Sequence, residues 1–418
     1  MENGKIKVLV LSDHALSTSG VGTQTRHLLN GLIEKGCWTF RQFGAALKHI
    51  DYSTVKVNED LIIKPVDGFG TPESLRVALA TEKPDILFIF TDPRFFVWLF
   101  EMEDEIHQVC PIVWWHVWDN YPYPDFNDAF YESTDLINCH SHMTYTMIKE
   151  QKKFNKKLTF IPHALPDNMF YPLSSNVIRQ NKVNLLGADR ADNFVAIWVN
   201  RNAKRKRPSD VLLSWKIFLD TLEHKHDKKN AILIMHTEPT DREGPNLFKV
   251  SEKLGIQNNV FFSTQRIEFE NMNILYNISD CCINIAYAEG FGLGTLEAMM
   301  AGVPIIAGKT GGLTRQVVDH RDGSENGVAL EIRNKTLVGS QTVPFIYEDY
   351  VDNEEVAKGI LKLYEMDSFS KSLLRQKVYN YATTQFKLQD TVDAWHDTML
   401  NKLKTWKEDY KSWEIFEL

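Results

Sequence analysis

Glu289-Gly-Phe-Gly-Leu-Gly-Thr-Leu-Glu297 decides the reading of this chain. Two carboxylates bracket three glycines, Gly290, Gly292 and Gly294. The apolar run at 281–286 before them has the length and composition of a buried strand, and Ala298-Met-Met-Ala301, closed by Gly302-Val-Pro304, reads as an apolar helix. The order strand, glycine loop, helix N-terminus offers an anion unpaired backbone N–H groups and the positive end of a helix dipole. Glycine lets the backbone come close to a ligand, because no side chain intervenes. A carboxylate one turn into the helix does not suit phosphate; it suits sugar hydroxyls. Donors for phosphate and acceptors for hydroxyls on one loop are what a nucleotide sugar requires. Read alone, the same residues also describe a plain turn and two solvated glutamates.

The surrounding chain alternates strand-like and helix-like segments. Strands are expected at 5–11, 85–90, 111–115 and 135–139, with helices at 23–34, 72–81, 95–109 and 143–152. The pattern then repeats, with strands at 194–199, 231–235, 260–262, 281–286 and 304–307 and helices at 209–222, 244–254, 269–277 and 294–301. Such alternation implies α/β architecture: two Rossmann-like, doubly wound parallel-sheet domains facing across a cleft. The expected division is 1–172, 173–385 and a final helical piece, 386–418, that packs back on the first domain. The polar stretch 173–193 reads as the connection plus a short helix. From 353 the pattern is helical to the end, and Trp395, Trp406 and Trp413 are too many tryptophans for a free tail. Residues 321–350 read as an irregular loop.

At 418 residues the chain suits two cores rather than one. Its 43% apolar and 24% charged residues are normal for a globular protein, and a net charge of −8 argues against a general polyanion binder. Cys37, Cys110, Cys139, Cys281 and Cys282 show no metal-ligand spacing, so buried free thiols in a reducing compartment are expected. The N-terminus has no cationic leader with a long apolar stretch, and no window approaches ~18 unbroken apolar residues. A cytoplasmic protein without a transmembrane segment is the expectation.

Three further groups bear on chemistry. Gly20-Val-Gly22 follows the first strand and opens a helix; it lacks the third glycine and the later acid of a dinucleotide fingerprint, so a tight turn explains it equally well. Arg201-Asn-Ala-Lys204-Arg205-Lys206-Arg207-Pro208 follows the first strand of the second half. Cations disfavour a helix N-terminus, so this cluster is stabilised elsewhere or holds an anion; guanidinium suits bidentate phosphate contact and ammonium suits a point charge on phosphate. His116, in Trp114-Trp115-His116-Val-Trp118, ends a strand, and a packed structural histidine competes evenly with a site role there. His163, between Pro162 and Leu165-Pro166, reads as part of a structural turn. No Asp-X-Asp or histidine cluster offers a divalent-metal site, so a diphosphate would have to be neutralised by protein cations.

On these residues the chain resembles the retaining glycosyltransferases of the GT-B fold, family 4, also called glycosyl transferases group 1. The resemblance rests on Glu289 to Glu297, on Arg201 with Lys206, on Gly20-Val-Gly22 and on His116. It extends to Ile161-Pro-His-Ala-Leu-Pro-Asp-Asn-Met-Phe170 and to Glu297-Ala-Met-Met-Ala-Gly-Val-Pro304 leading to Gly311-Gly312. It spans nearly the whole length and is stronger in the second half. It implies a UDP- or GDP-linked sugar donor held mainly by the second domain. Glu297 would take the ribose hydroxyls, while Phe291, Gly292, Leu293 and Gly294, with Glu289, would hold the sugar and distal phosphate. Arg201 and Lys206 would stabilise the departing diphosphate. Gly20 and Gly22 would add backbone contact from the first domain, and His116 would touch the transferred sugar. Retention of configuration without a protein nucleophile, and without a metal or other cofactor, is implied as well. The sequence departs from the family pattern at Met235-His236-Thr237, where a glycine-rich turn is usual, at Gln316, usually acidic, and at His163, more often Asn.

The implied function is transfer of a sugar from a nucleoside-diphosphate donor to an acceptor hydroxyl on a glycan, lipid, protein or modified nucleobase. A phosphorylase would need a pyridoxal-binding lysine context, which is not found. The alternative of another class is a sugar-nucleotide or glycan-binding protein of this fold with weakened catalysis; the joint presence of Arg201, Lys206, Glu289 and Glu297 argues against it. The basic stretch Lys149-Glu-Gln-Lys152-Lys153-Phe-Asn-Lys156-Lys157 leaves a nucleic-acid acceptor as the minor option beside a solvated helix face.

Overall fold

A computed structural model of the chain describes residues 4–47 and 51–409. It divides into two compact units, Met1–Leu165 with Gly339–Pro344 and Leu388–Leu418, and Pro166–Val338 with Phe345–Lys387.

The first unit is built on eight strands: β1 (Ile6–Asp13), β2 (Trp38–Ala45), β3 (Val55–Asn58), β4 (Leu61–Pro65), β5 (Ile86–Thr91), β6 (Ile112–His116), β7 (Leu136–Cys139) and β8 (Leu158–Phe160). Their order is β3-β4-β2-β1-β5-β6-β7-β8. All neighbours run parallel except β3 against β4. The chain starts in the middle and winds outward on both sides, which places a topological switch between β1 and β5. Alternation along the strands fills a core on each face. Val8, Val10, Phe88, Phe90, Val113 and Trp115 supply one, and Leu9, Leu11, Leu87, Ile89, Ile112 and Trp114 the other. Buried on both faces, these strands are continuous apolar runs, which is why the sequence marks them. β2 is less legible because Arg41 and Gln42 interrupt it.

The last helix, Leu388–Asp409, belongs to this unit and lies beside the helix Gly20–Glu34. The approach is close: a Cβ on Gly31 would stand 2.4 Å from a methyl of Val392. Trp395 is fully buried there, edge-on to Phe88 and Trp115 with centroids 5.2 and 5.3 Å away. Trp406 lies on the same helix, and Trp413 falls outside the described residues.

The second unit has a six-stranded parallel sheet in the order β11-β10-β9-β12-β13-β14. Its strands are β9 (Phe194–Val199), β10 (Ala231–His236), β11 (Val260–Ser263), β12 (Cys281–Asn284), β13 (Ile305–Gly308) and β14 (Gly327–Leu330). The stretch 173–193 holds the helix Ser175–Leu186, none of whose residues is buried. Residues 321–350, expected as an irregular loop, instead contain β14 and a separate antiparallel hairpin, β15 (Asn334–Val338) with β16 (Ile346–Tyr350). β15 is almost wholly exposed, so no buried face leaves an apolar alternation for the sequence to reveal. The expected helix at 95–109 is two short ones, Val97–Phe100 and Glu103–His107. Cys110, Cys139, Cys281 and Cys282 are buried free thiols and Cys37 is half-buried. No helix among the described residues is long and apolar enough to cross a membrane.

Candidate functional site

In the second unit, β9 and β12 are hydrogen-bonded neighbours, so the loops leaving their carboxyl ends emerge side by side. The first carries Arg201 to Arg207 and the second carries Tyr287 to Gly292. Three backbone and side-chain links fasten them. The Tyr287 amide donates to the Arg205 carbonyl at 2.9 Å, the Arg205 guanidinium reaches the Ala288 carbonyl at 3.3 Å, and the Lys206 ammonium is ion-paired and hydrogen-bonded to the Glu289 carboxylate.

That ion pair is buried, with side-chain exposures of 9% for Lys206 and 12% for Glu289. Burial pushes the Glu289 carboxyl up, but the charges of Lys206 and Arg205 and hydrogen bonds from Lys206 and Asn284 outweigh it, so it lies below the ordinary carboxylate value. Glu289 is therefore a fixed anion at neutral pH.

The glycine loop is shaped by close packing. Gly292 sits at φ +91°, and a Cβ there would meet Leu313 Cδ2 at 2.6 Å and Thr295 Oγ1 at 2.7 Å. Gly312 lies so near the loop that a Cβ would stand 2.5 Å from the Gly290 carbonyl oxygen. Its amide donates to the Glu289 carbonyl at 2.9 Å. Gln316, fully buried, donates its side-chain amide to the Phe291 carbonyl at 2.7 Å. The amide at this position thus braces the loop through a donor that a carboxylate lacks. With these carbonyls turned back into the body, Gly292, Leu293 and Gly294 form the start of the helix Leu293–Met300, which has no side-chain cap. Its first amides have no intrahelical partners, the kind of donor end that suits an anion.

Gly294 ties this end to the cation loop. A Cβ there would lie 3.2 Å from the Val199 carbonyl oxygen, at the end of β9, and 3.5 Å from the Tyr276 hydroxyl. That hydroxyl donates to Glu297 Oε2 at 2.7 Å. Burial pushes the Glu297 carboxyl up to about 7, against the lowering effect of the Tyr276 hydrogen bond. Glu297, the helix start, the end of β9 and the Lys206–Glu289 pair thus share one rim of one sheet.

Arg201 is different. Its guanidinium is 58% exposed and grips Asp241 through Nε at 2.8 Å and Nη2 at 3.2 Å, with Glu243 at 3.1 Å from Nη1. The loop after β10 supplies these acids, and sequence spacing gives no hint that they meet Arg201.

The remaining expected residues belong to the first unit. Gly22 is in the first turn of the helix Gly20–Glu34, where its amide donates to the N-cap Ser19 hydroxyl at 3.0 Å. A Cβ at Gly22 would stand 2.5 Å from the His14 carbonyl oxygen, so the glycine is demanded by packing. His116 ends β6 and is only 1% exposed. Its ring lies 4.4 Å from that of Trp114 and parallel to that of Trp118, and Nε2 is 3.2 Å from the Tyr131 hydroxyl. Desolvation, then the charge of His140, holds it well below the usual imidazole range, so it is neutral. His163 is likewise buried and neutral, stacked on His140 with centroids 4.3 Å apart. Lys153 of the basic stretch pairs with Asp128 at 2.8 Å.

Residues 187–384 match the family model described as Glycosyl transferases group 1. A little under half of the chain thus resembles glycosyl transferases group 1. Among curated relatives, a Bacillus anthracis protein named N-acetyl-alpha-D-glucosaminyl L-malate synthase is 21% identical over 250 residues, 60% of each chain. A D-inositol 3-phosphate glycosyltransferase 2 of Catenulispora acidiphila is 29% identical over 140 residues, 32% of this chain and 31% of the relative. The chain thus matches less than two thirds of the length of these relatives.

Likeness in structure is more extensive. A sucrose-phosphate synthase from Thermosynechococcus elongatus superposes with a TM-score of 0.71 at 14% identity, covering 96% of this chain and all of the other. HepE of Anabaena, solved in complex with UDP and glucose, gives 0.67 at 17% identity, covering 95% of this chain and all of the other. The fold is that of GT-B glycosyltransferases, with two doubly wound parallel-sheet domains.

Proposed function

We propose that this protein is a glycosyltransferase that moves a hexose from a nucleoside-diphosphate sugar to an acceptor hydroxyl, with retention of configuration. The observation that carries the reading is the shared rim in the second unit, where a buried Lys206–Glu289 pair, an uncapped helix start at Gly292 to Gly294 and the Tyr276-held Glu297 stand together. A UDP sugar is the first donor to test, since a structural relative binds UDP and UDP-glucose.

In this reading the diphosphate meets the helix start and Lys206, and Glu297 accepts hydrogen bonds from the pentose hydroxyls. Glu289, anionic and fixed by Lys206, accepts from sugar hydroxyls rather than attacking the anomeric carbon. As the glycosidic bond breaks, negative charge grows on the leaving diphosphate, and a preorganised ammonium stabilises that charge more than it stabilises the ground state. Arg201 adds a second cation, which has N–H groups beyond those facing Asp241 and Glu243. These protein cations supply the neutralisation, so the proposal requires no divalent ion. His116 and Gly22, sequestered by their own neighbours, are assigned support of the first unit rather than contact with the sugar.

The test is a thermal-shift screen of nucleotide sugars followed by donor hydrolysis. A true donor at 100 times its Kd adds about 2.7 kcal/mol to the folded state. A full panel of UDP, GDP and ADP sugars that shifts nothing and is not hydrolysed would refute the reading.

A further inference from the structure

The hairpin β15–β16 pairs with neither main sheet, yet it reaches the site loop. The Asp349 amide of β16 donates to the Tyr287 carbonyl at 2.9 Å, while the Tyr287 amide is bound to Arg205 on its other side. The Tyr350 ring packs on the Tyr287 ring with centroids 4.4 Å apart. Against both rings lies the Arg207 guanidinium, 5.2 Å from the Tyr287 centroid and 5.5 Å from that of Tyr350. Arg207 Nε also donates to Asp210 at 2.8 Å, and an Nη donates to the Val351 carbonyl at 3.2 Å. At 5% exposure, with Asp210 beside it, this guanidinium is committed to its own neighbours rather than to a phosphate.

Its backbone adds a second observation. Arg207 sits at φ +54°, the left-handed region, immediately after Lys206. A side chain there carries backbone strain that glycine would not incur. The strain is offset by a guanidinium held between two aromatic rings and two hydrogen-bond acceptors, contacts glycine cannot make. Residues 205, 206 and 207 therefore grip 287 and 289 in register: backbone to backbone, ammonium to carboxylate, guanidinium to ring.

We propose that Arg207 and Tyr350 are positioning residues, and that the β15–β16 hairpin clamps the Tyr287–Glu289 segment so that Lys206 is held, buried, where the donor diphosphate develops charge. This rests on the donor reading above. The hairpin thereby becomes part of the site's support. Neither residue touches substrate; both act through the placement of Lys206.

The experiment uses the full chain and three variants, Tyr350→Ala, Tyr350→Phe and Arg207→Gly. Tyr350→Phe keeps the ring and loses only hydroxyl contacts to Tyr287 and Glu348. Arg207→Gly suits the left-handed backbone, so it removes the clamp without adding strain and keeps the test open should Tyr350→Ala fold poorly. Two readouts are taken: acylation of the Lys206 amine by a soluble active ester, located by mass spectrometry without nucleotide, and kcat and KM for donor hydrolysis. Tyr350→Ala and Arg207→Gly should raise Lys206 labelling severalfold. They should lower kcat ~10- to 100-fold, the penalty of a slightly misplaced group. The donor KM should stay within about threefold, because the lost interaction belongs to the transition state. Tyr350→Phe should stay near wild type in both. Wild-type labelling and kcat in Tyr350→Ala and Arg207→Gly would overturn the clamp, as would a Tyr350→Phe as impaired as Tyr350→Ala. A wild-type protein that hydrolyses no donor would instead overturn the donor reading and with it the positioning role, leaving the labelling to show whether the hairpin sets the burial of Lys206.

Discussion

Lys206→Met should destabilise the second unit in a way that depends on pH, and the size of the effect follows from Glu289. In the native protein the carboxylate is 12% exposed and its charge is compensated by Lys206. Once the ammonium is removed, burial dominates and pushes the carboxyl up from its ordinary 4.5. The cheapest escape is to take a proton. At pH 7 that costs about 1.36 × (7 − 4.5), or ~3.4 kcal/mol, within the ~3–5 kcal/mol typical of breaking a buried pair from one side. For a domain of this size each kcal/mol moves the midpoint by roughly 2–4 °C, so calorimetry should show a loss of about 7–14 °C. At pH 5 the same protonation costs only ~0.7 kcal/mol, and most of the loss should vanish. The sign is fixed by linkage. In the wild type the lowered carboxyl contributes stability above its unfolded value and loses it as pH falls through the folded one; in the variant the raised carboxyl is a liability that grows with pH above 4.5. Lys206→Met with Glu289→Gln leaves neither charge unpaired and should recover most of the loss at pH 7. A Lys206→Met penalty that is small at pH 7, or that is equal at pH 5 and pH 7, would refute the account of a buried, mutually compensated pair.

Three further outcomes are expected. Arg201→Ala removes an exposed pair, so its stability cost should be within about 1 kcal/mol, while the donor KM rises roughly tenfold and kcat changes little if the guanidinium captures the donor diphosphate; an unchanged KM would disprove that role. Glu297, raised to about 7, should make nucleoside-diphosphate affinity climb as pH rises from 6 to 8, by about tenfold for one group titrating at 7. The same raised value means its contribution to stability is full below 4.5 and is lost as pH rises through about 7. Isothermal titration of Glu297→Gln should give a flat profile, and a wild-type affinity independent of pH would sink the assignment. Trp395→Ala should cost the first unit about 3–5 kcal/mol, read by denaturant unfolding, because the side chain is fully buried between Phe88 and Trp115.

How much of this was legible depends on what each element is made of. The strand at 194–199 is read to the residue, and β10 to β13 to within two, because a strand buried on both faces is an apolar run bounded by turns, whereas β14 falls in the stretch expected as a loop. The hairpin β15–β16 is invisible for the opposite reason. Its first strand is exposed, and it exists because Tyr350 and Asp349 find Tyr287, some sixty residues earlier in the chain. The glycine motif marks its own uncapped helix start, but not the Gln316 that braces it or the Tyr276 that holds Glu297. His116 shows the limit most plainly. Strand-end position raises the odds of a site role, yet its neighbours in three dimensions make it a neutral, enclosed ring.

The two cations of the motif make the same point about chemistry. By spacing alone Arg201 and Lys206 are a pair with a common task, and guanidinium is the better diphosphate ligand. The structure separates them. Arg201 is exposed, held by two acids, and screened by water, so each interaction it makes is weak and readily exchanged. Lys206 is buried, fixed to an anion that cannot leave, and clamped from the next residue onward, so its field is already oriented before any ligand arrives. Electrostatic stabilisation of a transition state requires that orientation be in place beforehand, in a site of low dielectric. In the proposed reaction Lys206 is the cation on which the rate would depend, and Arg201 the one on which capture of the donor would depend. Loss of Lys206 should accordingly appear chiefly in kcat, and weakening of Arg201 by Arg201→Lys chiefly in KM and in sensitivity to salt.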